Sequence, residues 1–202
     1  MVRSLNTKVW IPKTYDKIAK YYDPFFKWFF PAAEKAQKRV VEDLNSGSIL
    51  DVACGTGSVL MMAYKKGLKC YGIDLSQGML RQAKLKVPGA ELQIGDFENI
   101  PYPHGHFDYV VSTNSISGVR INAKKVVSEM IRVCKYGGEV RIGDYSKPLR
   151  RTWKNRLVIN FLSLTGDVPH DYLKIFREFG YEPYVEILGL YDTFQYFRIN
   201  KH

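Results

Sequence analysis

The segment Asp51-Val52-Ala53-Cys54-Gly55-Thr56-Gly57-Ser58 sets an acid just ahead of a glycine pair, where an apolar strand hands over to a helix. Glycines there let a backbone approach a ligand closely, and the helix start offers free N–H groups. An acid in that place would repel a pyrophosphate but suits a cationic amino-acid group. Asp74, with Leu75 beside it, ends the next apolar run, Cys70-Tyr71-Gly72-Ile73. A carboxylate at a strand tip can accept from both hydroxyls of a ribose. The plainer reading has Asp74 or Ser76 capping the following helix. Gly95-Asp96-Phe97 follows a third run, an acid able to accept from an adenine amino group beside an apolar wall. Met79 either extends that wall or fills the core.

These residues describe a site for an adenosine with a positively charged amino-acid tail. A dinucleotide is the rival, since Asp74 would serve either ligand. Against it, Gly55-Thr56-Gly57-Ser58-Val59-Leu60 lacks the third small residue of a dinucleotide turn, and Asp51 faces the wrong way in charge.

Such a site needs strands that end together. Apolar runs at 48–52, 69–73, 91–94, 107–112 and 139–144 read as strands, and 59–66, 78–86 and 122–134 as amphipathic helices. Strand and helix in alternation predict a parallel sheet covered on both faces. Pro31 opens an earlier helix that Asn45-Ser46-Gly47 ends, and Gly137-Gly138 supplies the turn into the fifth strand. Residues 169–179 read as a late helix capped by Gly180, followed by strands at 184–188 and 191–199. The Gly189-Leu190 break is too short for a crossover, so these last strands should be antiparallel neighbours. The expected fold is a single α/β Rossmann-like domain: a mostly parallel seven-stranded sheet, an antiparallel last strand and helices on both faces. Residues 1–46 would form a helical lid region, 47–145 the cofactor-binding core and 146–202 the substrate side.

The chain has 202 residues and a formal net charge of +10, a balance that favours nucleic acid, an acidic lipid surface or a phosphorylated substrate. Cys54, Cys70 and Cys134 are odd in number and widely spaced, which suggests no disulfide framework or metal site and a cytoplasmic home. No secretory signal is visible, and the longest apolar runs fall far short of a membrane span.

The blocks ILDVACGTGSV, GIDLSQGML, GDFENIPYPHGHFDYVV and EMIRVCKYGGEVRIGDYSKP resemble those of class I S-adenosylmethionine (SAM) dependent methyltransferases. Within that fold the chain is similar to the ubiquinone/menaquinone biosynthesis methyltransferase-like group and its phospholipid N-methyltransferase relatives. Tyr15-Asp16-Lys17-Ile18-Ala19, Tyr22-Asp23, Gly118-Val119-Arg120 and Tyr145-Ser146-Lys147-Pro148 carry that likeness. It implies SAM as cofactor, S-adenosylhomocysteine as product and no metal. It also implies a pocket lined by Tyr22, Thr56, Asp74, Asp96, Phe97 and the neighbourhood of Asn114.

Methyl transfer from a sulfonium chiefly requires nucleophile and methyl held close, aligned and dry. A quinol-type carbon or amine acceptor would further need help in forming its nucleophile. Arg120 could stabilise an enolate-like charge, and His170 is a candidate base, against the plainer reading of a first-turn helix residue. The aromatic stretch 21–30 reads as a lid, an acceptor wall, a membrane-dipping patch or simply a packed helix. Lys147, Arg150, Arg151, Lys154 and Arg156 adjoin Trp153 and the apolar run 157–164, a combination suited to anionic lipid or to a solvated helix face. A small or lipid-like acceptor leads. RNA is second, though Ser112-Thr113-Asn114-Ser115 is not a base-methylating motif and no RNA-binding module is appended. A non-catalytic SAM-fold protein is third, disfavoured by the intact acids and glycines.

Overall fold

The computed structural model describes residues 7–23, 31–118 and 121–202, without the side chains of 7–12 and 165. Helix α1 (Thr7–Ile18) runs into a 3-10 turn (Ala19–Tyr21), and α2 (Pro31–Arg39) precedes the first strand. The alternation then runs β1 (Ser48–Val52), α3 (Ser58–Lys65), β2 (Lys69–Asp74), α4 (Gln77–Lys86) and β3 (Glu91–Ile94). It continues with β4 (Phe107–Thr113), α5 (Ala123–Val133), β5 (Cys134–Tyr145), α6 (Trp153–Thr165) and α7 (Tyr172–Glu178). Strands β6 (Tyr184–Gly189) and β7 (Phe194–Asn200) close the chain.

The seven strands form one sheet in the order β3-β2-β1-β4-β5-β7-β6. Strands β1 to β5 pair in parallel, and β7 lies antiparallel between β5 and β6. Successive side chains of a strand face opposite sides. Ile49 and Val111 accordingly join the core under α2 and α3, while Leu50 and Val110 join the one under α5 and α7. A Cβ on Gly143 would meet the Ala36 Cβ at 2.6 Å, so α2 lies tightly on β5. Chain progression reverses between β1 and β4, and a crevice at such a switch point receives ligands at the carboxyl ends of the strands.

Several boundaries differ from those read in the sequence. The helix at α2 stops at Arg39, and Val40, Val41 and Leu44 bury themselves from turns. Helix α7 starts at Tyr172, because Asp171 accepts from the Lys174 N–H and caps it there. His170 therefore lies ahead of the helix, in a bridge with Ser146. Gly137 and Gly138 do not turn into a strand. They sit in a β5 already begun at Cys134, in an interruption of the β4 register, and the Lys201 backbone bonds to both. The last strand begins at Phe194, after Leu190, Tyr191 and Asp192 adopt positive φ in the hairpin turn.

Candidate active site

At the tip of β1 the backbone coils sharply, with Ala53 at φ 60°, Gly55 at 52° and Gly57 at 79°. A Cβ on Gly55 would meet no atom within 4 Å, whereas one on Gly57 would come 2.9 Å from the Ala83 Cβ. Gly55 thus leaves open space above the strand end, and Gly57 lets α3 and α4 pack.

Asp51 is 2% exposed, and burial, reinforced by the Asp74 charge, raises its carboxyl well above the ordinary range. Asp74 accepts from the Gly55 N–H at 2.9 Å through Oδ2 and from the Ser76 N–H at 2.8 Å through Oδ1. Burial raises its pKa while these bonds work the other way. The Leu75 N–H bonds to the same carboxylate, so three backbone donors hold Asp74 in place and one of its lone pairs remains. The cap of α4 falls to Ser76, which accepts from the Met79 N–H. Met79 itself is 2% exposed and belongs to the packed interior, which is the plainer of its two readings.

Asp96 follows β3 and accepts from the Glu98 N–H at 2.9 Å, with Phe97 packed partly buried on the core beside it. Asn114, past β4, adopts φ 51°, and its Oδ1 is buried with no hydrogen-bond partner among the described residues. An L-residue in that region carries strain, and an orphaned acceptor invites a donor from a ligand. Buried Asp144 at the end of β5 shapes this loop by accepting from the Ser115 and Ile116 N–H groups.

The N-terminal segment lies across these strand ends. Asp16 accepts from the Ser76 hydroxyl at 2.7 Å and the Gly78 N–H at 2.6 Å, and those bonds hold its pKa down. Thr56 donates to Asp23 at 2.5 Å, and Lys86 both pairs with Asp23 and donates to Thr56 at 2.9 Å. Tyr15 and Tyr22 meet edge to face at 5.9 Å, and burial raises both phenols, with Asp74 among the charges acting on each. The sequence reading assigned no role to Asp16, Asp23 or Lys86. The signal available was the repeated Tyr-Asp pair at 15–16 and 22–23.

His170 arrives on the β5 side, where its carbonyl accepts from the Ser146 hydroxyl at 3.0 Å and the Lys147 N–H at 2.9 Å. Burial lowers its pKa against a hydrogen bond to the Ile116 backbone, and its Nε2 is buried without a partner among the described residues. Arg120 and residues 24–30 of the aromatic stretch lie outside the described residues. Tyr22, Asp51, Gly55, Thr56, Gly57, Asp74, Leu75, Asp96, Phe97 and Asn114 all come to the same end of the sheet.

A family model described as "Methyltransferase domain" matches residues 49–138. Phosphatidylethanolamine N-methyltransferase of Cereibacter sphaeroides is 35% identical over 143 residues, 67% of this chain and 68% of the relative. Demethylmenaquinone methyltransferase of Paenarthrobacter aurescens is 28% identical over 145 residues, 70% of this chain. The match spans only 57% of that relative's length. Among solved structures, a SAM-dependent methyltransferase from Thermotoga maritima has the same fold, with a TM-score of 0.72 at 16% identity, over 95% of this chain and 100% of that one. The chain belongs to the SAM-dependent methyltransferases.

Proposed function

We propose that this protein transfers the methyl group of SAM to a small or lipid-like acceptor, through a quinol-type carbon or an amine. The observation that carries the reading is the polar set at the switch-point crevice, with Asn114 Oδ1 buried there and unpartnered among the described residues. The residues fit the cofactor: Asp74 retains acceptor capacity for ribose hydroxyls, Asp51 and Asn114 suit an ammonium, and Asp96 with Phe97 suits adenine. Bound SAM supplies an activated methyl whose leaving group is a neutral thioether. The chain's own contribution is positional. The glycine turn brings backbone close, and the Tyr15–Tyr22 pair keeps water from the strand tips.

His170 is the proposed proton acceptor. Burial disfavours its charged form, and Nε2, without a hydrogen-bond partner among the described residues, offers a lone pair to a proton from an amine or phenol. Arg120 is proposed to stabilise acceptor charge. Peripheral contact with an anionic membrane belongs to the same reading, because a lipid-like acceptor resides there. RNA methylation is the second reading, favoured by the +10 charge, and the absence of salt-dependent tRNA binding would remove it.

Calorimetry with SAM tests the main reading. Asp74→Ala is expected to weaken binding by about 1–3 kcal/mol through lost ribose contacts. A folded wild-type protein with no SAM affinity would overturn it. Labelled SAM offered with quinol, phospholipid and RNA fractions then separates the acceptors.

A further inference from the structure

Helix α6 turns an apolar stripe outward. Trp153, Leu157, Phe161 and Leu164 are 70%, 59%, 63% and 86% exposed, and their spacing places them within one narrow arc of the helix. The opposite arc goes inward: Leu162 and Asn155 are buried, and Val158 packs on the core. The helix is therefore docked by one face and bare on the other. Lys154 and Arg156 border the stripe on either side, with Lys147, Arg150 and Arg151 just before it. Residues 147–165 contain those five cations and no carboxylate.

The hairpin turn between β6 and β7 extends this surface. Asp192 accepts from the Leu149 and Arg150 N–H groups, fixing exposed Leu149 near exposed Leu190 and Tyr191. The Lys154 ammonium lies 5.7 Å from the Trp153 ring and 5.3 Å from the Tyr191 ring. Single exposed apolar residues are ordinary on a protein surface, but a contiguous run of them bordered by five cations is not, and the neighbouring Asp192 carboxylate is taken up by backbone N–H groups.

We infer that this face of α6, with the neighbouring hairpin turn, docks the protein on a membrane surface rich in anionic phospholipid. Leu157, Phe161 and Leu164 would enter the acyl boundary, Trp153 the headgroup level, and the lysines and arginines the phosphates. The charge pattern selects this occupant. A second copy would bring the same cations against these and be repelled, and a nucleic acid would satisfy the cations while leaving the stripe wet. The inference rests on the lipid-like acceptor reading for its biological sense. Geometry links the two: after α6 the Asp167 N–H bonds back to the Leu162 carbonyl, and the Val168 N–H reaches the Ser117 carbonyl. The docking helix thus feeds directly into the segment carrying His170.

Co-sedimentation of the full chain with phosphatidylcholine vesicles, with and without phosphatidylglycerol, tests it. Binding is expected only with phosphatidylglycerol, falling with salt. A Phe161→Ser/Leu164→Ser double variant should bind at least about tenfold more weakly, with SAM affinity unchanged because both side chains lie on the exposed arc of α6. The emission of Trp153 should shift to the blue on binding, and Trp153→Phe should abolish the shift. Equal binding to neutral vesicles, an unaffected double variant, or a dimer dispersed by that variant would each overturn the inference. Vesicle binding that persists in a protein unable to bind SAM would sustain it while removing the methyl-transfer reading.

Discussion

Burial and the neighbouring Asp74 together set Asp51 against its own ionised form. As pH rises from the ordinary carboxylate value of 3.8, the unfolded chain ionises there while the native carboxyl resists. The unfolded state is thereby favoured, until the pH passes the raised native value. Asp51→Asn should therefore stabilise the ligand-free protein by about 1–3 kcal/mol, more at pH 8 than at pH 4, while weakening SAM binding; melting curves at both pH values check this. His170 has the opposite dependence. Its pKa is lowered from 6.5, so its contribution to stability is complete above that value and is lost as pH falls. In activity, His170→Gln should remove the acid limb of the kcat profile and leave SAM affinity intact. Asp51, Asp74 and Asp96 were legible in the sequence because each sits beside the strand end that places it. Asp16, Asp23 and Lys86 were not, because their partners are distant in the chain and only the folded backbone joins them.

Between elements, the two glycines of the β1–α3 turn have different tasks. Gly57→Ala forces a side chain into the left-handed region and against the Ala83 Cα, 3.1 Å away, and should cost about 2–4 kcal/mol of stability. Gly55→Ala meets open space, should cost only about 1–2 kcal/mol, and should reduce SAM affinity by intruding on the crevice. Chemical denaturation paired with calorimetry separates the two outcomes. Strands β1 to β4 could be placed almost to the residue, since each is a short apolar run bounded by turn residues. The bulge in β5 and the start of α7 could not. Gly-Gly and Pro-His-Asp are ordinary turn signals, and only pairing with Lys201 and Ser146 decides their conformation. Helix α6 has the composition of a membrane-surface helix, but which arc it buries emerges only from its packing.

Across the whole molecule, the sheet order collects Asp51, Asp74, Asp96 and Asn114 at one end and leaves the start of β5, with Lys201 and His202, at the other. Net charge and the α6 stripe add a direction, so the protein has a side for its surroundings as well as a site for its chemistry. The N-terminal segment crosses that site and is fastened at two points, by Asp16 on Ser76 and Gly78 and by Asp23 on Thr56 and Lys86. Fastenings of this kind imply a schedule. The nucleoside must enter before they close and leave after they release, so the methyl donor should bind first and its demethylated product depart last. Steady-state kinetics should then show S-adenosylhomocysteine competing with SAM but not with the acceptor, and Asp23→Asn should quicken product escape and raise the KM for SAM. A random pattern of inhibition would mean that the strap is only scaffolding. Otherwise contacts among five side chains and one backbone amide set the clock of the whole cycle.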